Sequence, residues 1–273
     1  MTRNPVQLDF VAGALAIKLV ADIRSQNPWW ESKALPPLPF FRRWPFVPLM
    51  KRITRETPLA RINVLRGPRQ IGKTTLQFQI IEQLLKDGID PARILRVQFD
   101  DLPSLQQRKS SQIVLEIVEW FSETFHSGDL NAQARAGKPA FLFLDEVQNL
   151  AHWDVQLKAL VDRTDVRLLV TGSSALRIEM GRDSLAGRMQ TMEVGPFRLS
   201  EISTVRGFGE LAPFAEANGT GNWARIEFWN ELREYGMRHS VLRERAFEAF
   251  SERGGYPLAQ RADIEWPEVA RQL

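Results

Sequence analysis

The feature that most restricts the fold of this chain is an eight-residue stretch, Gly67-Pro-Arg-Gln-Ile-Gly72-Lys73-Thr74. It lies between the apolar run RINVL and the segment TTLQFQIIEQLLKDG. The spacing G-x4-G-K-T is that of a phosphate loop. Its glycines let the backbone wind with N–H groups turned inward, and the helix that starts near Lys73 adds the positive end of its dipole. Lys73 would then stand beside the β and γ phosphates, and the Thr74 hydroxyl would ligate Mg2+. Gly67, Pro68, Arg69, Gln70, Ile71, Gly72, Lys73, Thr74 and Thr75 form the candidate nucleotide-binding stretch. The fingerprint G-x-G-x-x-G is absent, which disfavours a Rossmann cofactor site. The competing reading is a plain tight turn.

Around this loop the sequence alternates between strand and helix. RINVLRG, RILRVQFD, FLFLDE, VRLLVTGS and MQTMEVG read as strands. TTLQFQIIEQLLKDG places Leu76, Ile80 and Leu84 on one face and stops at Gly88; SQIVLEIVEWFSETFH, the region of WDVQLKALVD and a further segment before MQTMEVG also read as helices. Five such alternations predict an α/β fold, a parallel sheet covered on both faces by right-handed crossovers. The continuous apolar run of FLFLDE predicts a strand buried on both faces. Beyond Ser200, RIEFWNELREYG and VLRERAFEAFSERGG predict a smaller helical lid. We therefore divide the chain into an N-terminal helix and arm (1–50), a nucleotide-binding core (51–198) and a helical lid subdomain (199–273).

Residues 24–50 carry many prolines together with Trp29, Trp30, Phe40, Phe41, Trp44 and Phe46. Proline at this density argues against regular helix, and the rings are costly to leave in water. The segment reads as an arm that packs its rings across a folded domain, with a ligand-pocket border as the alternative. Upstream, FVAGALAIKLVADI is broken by Lys18 and Asp22, which favours an amphipathic helix over a signal peptide. Nothing approaches the ~18 uninterrupted apolar residues of a transmembrane span. The 36 Lys+Arg and 33 Asp+Glu leave a net charge of +3 on 273 residues, so charge points to neither nucleic acid nor membrane. Cysteine is absent, which excludes disulfides, thiolate metal sites and cysteine nucleophiles, and fits a reducing cytoplasm.

Two further elements carry chemistry. Asp145, at the carboxyl end of the FLFLDE strand, lies where α/β sheets bind ligands and would hold Mg2+ through its water shell. The adjacent Glu146 would polarise an attacking water, so the pair points to hydrolysis rather than binding alone. A helix cap is the plainer reading of Asp145. VRLLVTGSSA ends in Thr171-Gly172-Ser173-Ser174, which places small hydroxyls beside a γ-phosphate. Thr171 or Ser173 is the candidate polar sensor; capping is the rival explanation for Ser173 and Ser174.

With GPRQIGKTT, LDEVQNL followed by Trp153, LLVTGSSA, GRMQTMEVGPFRLSE and the GGYP of Gly254 to Pro257 in this order, the chain resembles the AAA+ P-loop ATPases. Within them it is similar to the prokaryotic branch often joined to a C-terminal domain of unknown function, near the archaeal-ATPase and STAND-type group. The resemblance spans about residues 50–260. It implies a five-stranded sheet of order 5-1-4-3-2, a helical lid, ATP and Mg2+ as cofactors, and a ring or dimer. It also implies an arginine finger just before the fifth strand, where Arg188 stands; Arg182 is less well placed. In such a homo-oligomer Arg188 would act in trans on a neighbour's nucleotide, stabilising transition-state charge. The segment upstream of the loop would help enclose adenine, which makes Trp44 and Phe46 candidates. The lid arginine of many relatives has no counterpart in Tyr256-Pro257-Leu258-Ala259, and Arg261 is a weak substitute. Relatives continue past GGYP, so an effector part or C-terminal domain is expected beyond this chain.

Three functions compete on these residues. The first is an ATPase that couples hydrolysis to conformational change or assembly. The second is a nucleotide-gated switch with little turnover. The third is a DNA-acting ATPase, which predicts a basic stripe or winged helix that the near-neutral charge does not supply. A nucleotide kinase fits poorly beside Asp145-Glu146 and TGSS.

Overall fold

Five short strands, β1 (Ile62–Arg66), β2 (Ile94–Gln98), β3 (Phe141–Asp145), β4 (Arg167–Gly172) and β5 (Met189–Glu193), form one parallel sheet in the order β2-β3-β4-β1-β5. This is the 5-1-4-3-2 order implied by the resemblance. The computed structural model describes residues 15, 17–56, 58–105, 110–173, 185–212, 214, 223–261 and 266–271. The helix expected between β4 and β5, Ser174 and Arg182 lie outside them. By their contacts the residues divide into two compact units, one of Met1–Arg69 and Lys73–Val194, the other of Gln70–Gly72 and Gly195–Leu273.

In the first unit, β3 is buried along its whole length, as expected of a central strand flanked on both faces. The sheet is joined by α3 (Lys73–Lys86), α4 (Ile113–His126), α5 (Leu130–Arg135) and α6 (Trp153–Arg163). The spacing of apolar residues carries the packing: Leu76, Ile80, Ile81 and Leu84 of α3 are buried, and so are Ile113, Ile117 and Phe121 of α4. The register fixes the functional edge. Asp145 lies opposite Gln98 on one side and Thr171 on the other, and Arg66 lies opposite Gly172 and Glu193. The carboxyl ends of all five strands therefore share one rim.

The N-terminal segment belongs to this unit. Helix α1 (Ile17–Gln26) buries Leu19 and Ile23, and a single 3-10 turn (Pro28–Glu31) follows. Their side chains cover β2, an edge strand with one row of backbone groups unpaired. Trp29 and Trp30 each donate an indole N–H to the Ile94 carbonyl, at 3.1 and 2.9 Å. Asn27 accepts from Arg96 N at 2.7 Å and donates to Arg96 O at 2.8 Å. Gln26 likewise accepts from Gln98 N at 2.7 Å and donates to its carbonyl at 3.2 Å. Alternate residues of the strand are thus satisfied by side chains in place of a sixth strand. Trp30 also stacks on Phe121 at 6.0 Å and meets Phe125 at 4.6 Å.

The proline-rich stretch departs from expectation in two places. Phe46–Ile53 is a helix, α2, despite Pro45 and Pro48. Pro48 stands in its first turn, where the missing N–H has no partner to lose. Phe40, expected to be covered, is 85% exposed.

The second unit contains α7 (Leu199–Val205), α8 (Ile226–Arg238), α9 (Ser240–Arg253) and α10 (Trp266–Ala270). α9 packs on α7. The GGYP segment explains its own glycines. Gly254 takes a positive φ of 76° where α9 ends, and a Cβ on Gly255 would come within 2.7 Å of Pro196 and 3.3 Å of the Phe197 carbonyl. Phe197 N donates to the Gly255 carbonyl at 2.6 Å. Pro257 begins a turn that closes with Gln260 N donating to the Tyr256 carbonyl at 3.3 Å. Gln260 donates from its amide to the Ala249 carbonyl at 3.0 Å. Among the described residues no helix is long and apolar enough to cross a membrane.

Candidate nucleotide site

The loop after β1 is shaped by two backbone demands. Gly67 runs so close to the end of β5 that a Cβ would collide with the Val194 carbonyl oxygen, and Val194 N donates to the Arg66 carbonyl at 2.8 Å. Gln70 and Gly72 then take positive φ values of 58° and 89°, which turn the chain into α3. Pro68, Arg69 and Gln70 are exposed, Ile71 is buried, and Gly72, Thr74 and Thr75 are half-buried.

Lys73, the first residue of α3, is buried and folds back over the loop. Its ammonium donates to the Gly67 carbonyl at 2.9 Å and the Pro68 carbonyl at 2.7 Å. Burial lowers its pKa below the ordinary lysine value, while the charges of Glu146 and Asp145 act to raise it. One residue on, the Thr74 hydroxyl donates to Asp145 Oδ2 at 2.8 Å. This bond joins the loop to the end of β3. Thr74 and Asp145, predicted from separate motifs, are therefore brought together. Their donors are hard oxygens, which suits Mg2+, an ion held through one or two protein carboxylates plus phosphates.

The structure separates the two sensor candidates. Thr171, fully buried, donates its hydroxyl to Asp145 Oδ1 in a short bond and accepts from Gln77 Nε2 at 3.0 Å. Ser173 serves Glu146 instead, with its hydroxyl at 3.0 Å and its N–H at 3.3 Å from Glu146 Oε2. Gln148 donates to the same oxygen at 2.5 Å. Glu146 holds a left-handed backbone, φ 55° and ψ 33°, and its N–H donates to the Thr171 carbonyl at 2.9 Å. That turn brings its carboxylate beside β4, half-buried next to Asp145.

Arg188 lies elsewhere. Its carbonyl accepts from Ile62 N at 3.0 Å, at the amino end of β1, and its guanidinium makes a two-pronged pair with Asp162 at 2.7 and 3.0 Å. The bond to Arg188 lowers the Asp162 pKa and the same bond raises that of Arg188. Trp44 is half-buried, and Phe46 is buried beneath the Arg42 guanidinium at 4.2 Å. Arg261 is exposed, and its carbonyl accepts from Arg253 Nη1 at 3.2 Å.

Four residues near the site went unread in the sequence: Arg96, Gln77, Gln98 and Gln148. Arg96, 2% exposed, donates to Asp145 Oδ2 at 3.3 Å, Gln98 Oε1 at 2.8 Å and Gln77 Oε1 at 3.3 Å. Burial lowers its pKa while Asp145 raises it, and an arginine stays charged under either influence. A signal did exist. Arg96 interrupts the apolar strand ILRVQ, and Gln77 interrupts the buried face of α3 one turn after Lys73. Polar groups in such places need partners.

Several known proteins resemble this chain. An uncharacterized protein of Methanocaldococcus jannaschii, MJ1637, is 34% identical over 138 residues, which are 50% of this chain and 26% of that protein. A second from the same organism, MJ1544, is 27% identical over 154 residues, 54% of this chain and 29% of that protein. The chain thus spans between a quarter and a third of these relatives. Among solved structures, the Walker-type ATPase PABY2304 of Pyrococcus abyssi superposes with a TM-score of 0.52 at 13% identity, over 88% of this chain and 74% of that one, a likeness of fold. Residues 60–203, more than half of the chain, match the family model described as AAA domain, and the chain belongs to that family, the AAA+ P-loop ATPases.

Proposed function

We propose that this chain binds Mg·ATP and hydrolyses it to ADP and phosphate, coupling the reaction to conformational change or assembly. The observation that carries this reading is the 2.8 Å bond between Thr74 and Asp145, which unites loop and strand around one metal-binding pair. The backbone of Gly67–Thr75 would cradle the phosphates, and the Lys73 ammonium would exchange its loop carbonyls for β and γ oxygens. Thr74 and Asp145 would hold Mg2+, which when bound supplies charge neutralisation on the phosphates. Glu146 would take the proton of a water attacking the γ-phosphorus as the bond to the β,γ-bridging oxygen breaks and ADP leaves. Ser173, bonded to that base, is the better-placed sensor; Thr171 acts through Asp145. Trp44 or Phe46 would border the adenine. Arg188 would serve a neighbouring copy's site after release from Asp162. Lack of cysteine supports a cytoplasmic setting.

Lys73→Ala should abolish nucleotide binding, and Glu146→Gln should bind ATP without cleaving it. ATP affinity of Lys73→Ala equal to wild type would remove the loop assignment. Trp44→Ala should weaken ATP binding while the protein still folds; unchanged affinity would dismiss its adenine role.

One observation favours a second reading, a nucleotide-gated switch. A single oxygen of Glu146 already takes bonds from Gln148 and from both donors of Ser173. A base so occupied turns over slowly until those bonds are broken. Single-turnover hydrolysis with excess protein distinguishes the two, because a switch retains ATP and an ATPase consumes it.

A further inference from the structure

The Asp145 carboxylate ends a strand, and the rotation of its terminal torsion is intrinsically broad. A metal-binding carboxylate with that freedom presents its oxygens poorly. Three donors restrain it: Thr171 on Oδ1, and Thr74 and Arg96 on Oδ2. Thr74 is itself a proposed metal ligand and changes partners when the site fills. Arg96 and Thr171 are left to hold the orientation throughout.

We propose that Arg96 is the positioning residue of the metal site, setting the rotation at which Asp145 turns Oδ2 toward Thr74 and a nucleotide-bound divalent cation. The inference rests on the ATP-binding reading and assigns a role that neither motif contains. Arg96 is suited to it because it is constrained from every side. Its backbone N–H and carbonyl are both bonded by the Asn27 amide, its guanidinium lies 4.4 Å from the Phe78 ring centroid, and Gln98 takes a further bond. Arg96 donates to Gln77, Gln77 to Thr171, Thr171 to Asp145, and Arg96 again to Asp145, which closes a ring of bonds. Such a ring is rigid only when every member is satisfied. The planar fork is what allows one side chain to reach three acceptors, and lysine offers no equivalent.

Charge alone makes the opposite forecast. A cation 3.3 Å from Asp145 repels an arriving metal, so its removal by Coulomb effects alone would strengthen metal binding. The sign of the change therefore separates positioning from charge compensation.

The test is a Mg2+ titration of fluorescent ATP-analogue binding to the full chain, compared with binding in EDTA. The wild type is set beside Arg96→Met and Arg96→Lys, with circular dichroism as the check on folding. Arg96→Met should raise the Mg2+ midpoint by about 10–100-fold, the cost of losing a partner that orients a metal ligand, and leave metal-free affinity within about twofold. Arg96→Lys should also raise it, by less. A midpoint in Arg96→Met that is unchanged or lower overturns the proposal. If Arg96→Met does not fold, Arg96→Lys decides, and a wild-type midpoint there overturns it equally. A wild-type protein that binds no nucleotide would remove the ATP-binding reading and this proposal together; wild-type binding with unaltered variants would remove this proposal alone.

Discussion

Gly67 shows how one missing side chain sets the loop, because a Cβ there would meet the Val194 carbonyl. Gly67→Ala should destabilise the protein by about 1–3 kcal/mol through overpacking, measured by urea unfolding, and should weaken nucleotide binding as well. His126 makes a prediction in pH. It is buried at the end of α4 with the Phe121 ring edge-on at 5.0 Å. Burial lowers its pKa from the ordinary 6.5, and Arg93 acts in the same sense, while a hydrogen bond with the Ala92 backbone and the charge of Asp90 oppose. With the folded value below the unfolded one, the unfolded chain takes up the proton first. This contribution to stability is complete above pH 6.5 and is lost as pH falls through the lower folded value. The urea midpoint of wild type should therefore fall more steeply below that pH than that of His126→Gln; parallel profiles would contradict it. At this scale legibility was uneven. Lys73, Thr74, Asp145 and Glu146 could be read because a fixed spacing carries their chemistry. Arg96 and Gln77 belong to no spacing, and the bonds that reveal them, to each other, to Asp145 and to Thr171, join residues 19 or more apart in the chain.

Among the elements, the strands and the helices α3, α4 and α6 were legible because apolar periodicity marks their buried faces. The N-terminal segment was legible as something that packs, but what it packs on was not. Its function depends on donors and acceptors in Gln26, Asn27, Trp29 and Trp30 matching the free groups of β2, which no periodicity expresses. Helix α2 was missed because Pro48 reads as a breaker unless the helix start is already known. The edge cover can be tested one residue at a time. Asn27→Ala leaves two backbone groups of Arg96 without their partner and should cost about 1–3 kcal/mol. Trp30→Phe keeps an aromatic ring against Phe121 and Phe125 but removes the indole N–H and the fused five-membered ring, so it should cost about 1 kcal/mol for the hydrogen bond and more for the lost packing. Urea denaturation of both variants checks these costs, and a wild-type midpoint in Asn27→Ala would contradict the edge cover.

Across the whole molecule, sheet register separates two tasks. Arg188 precedes the amino end of β5, while the loop follows the carboxyl end of β1 beside it. The four residue steps between those ends span about 13 Å at strand rise, out of reach of Arg188's own site. A catalytic Arg188 must therefore act on another copy. Arg188→Ala should change the melting temperature little, since its pair with Asp162 is solvent-exposed. It should regain ATPase activity when mixed with Glu146→Gln, which supplies the arginine but has no base; no recovery would remove the trans role. The fold followed from the alternation of strands and helices, whereas the pairing of Arg188 with Asp162 joins residues 26 apart and has no local pattern. In the proposed function Lys73, Thr74, Asp145 and Glu146 form one hydrolytic site. The most direct measurement follows γ-labelled ATP in a single turnover with excess wild-type and Glu146→Gln protein. Wild type should release labelled phosphate while Glu146→Gln retains intact ATP. Phosphate release by Glu146→Gln at the wild-type rate, or none from wild type, would contradict it.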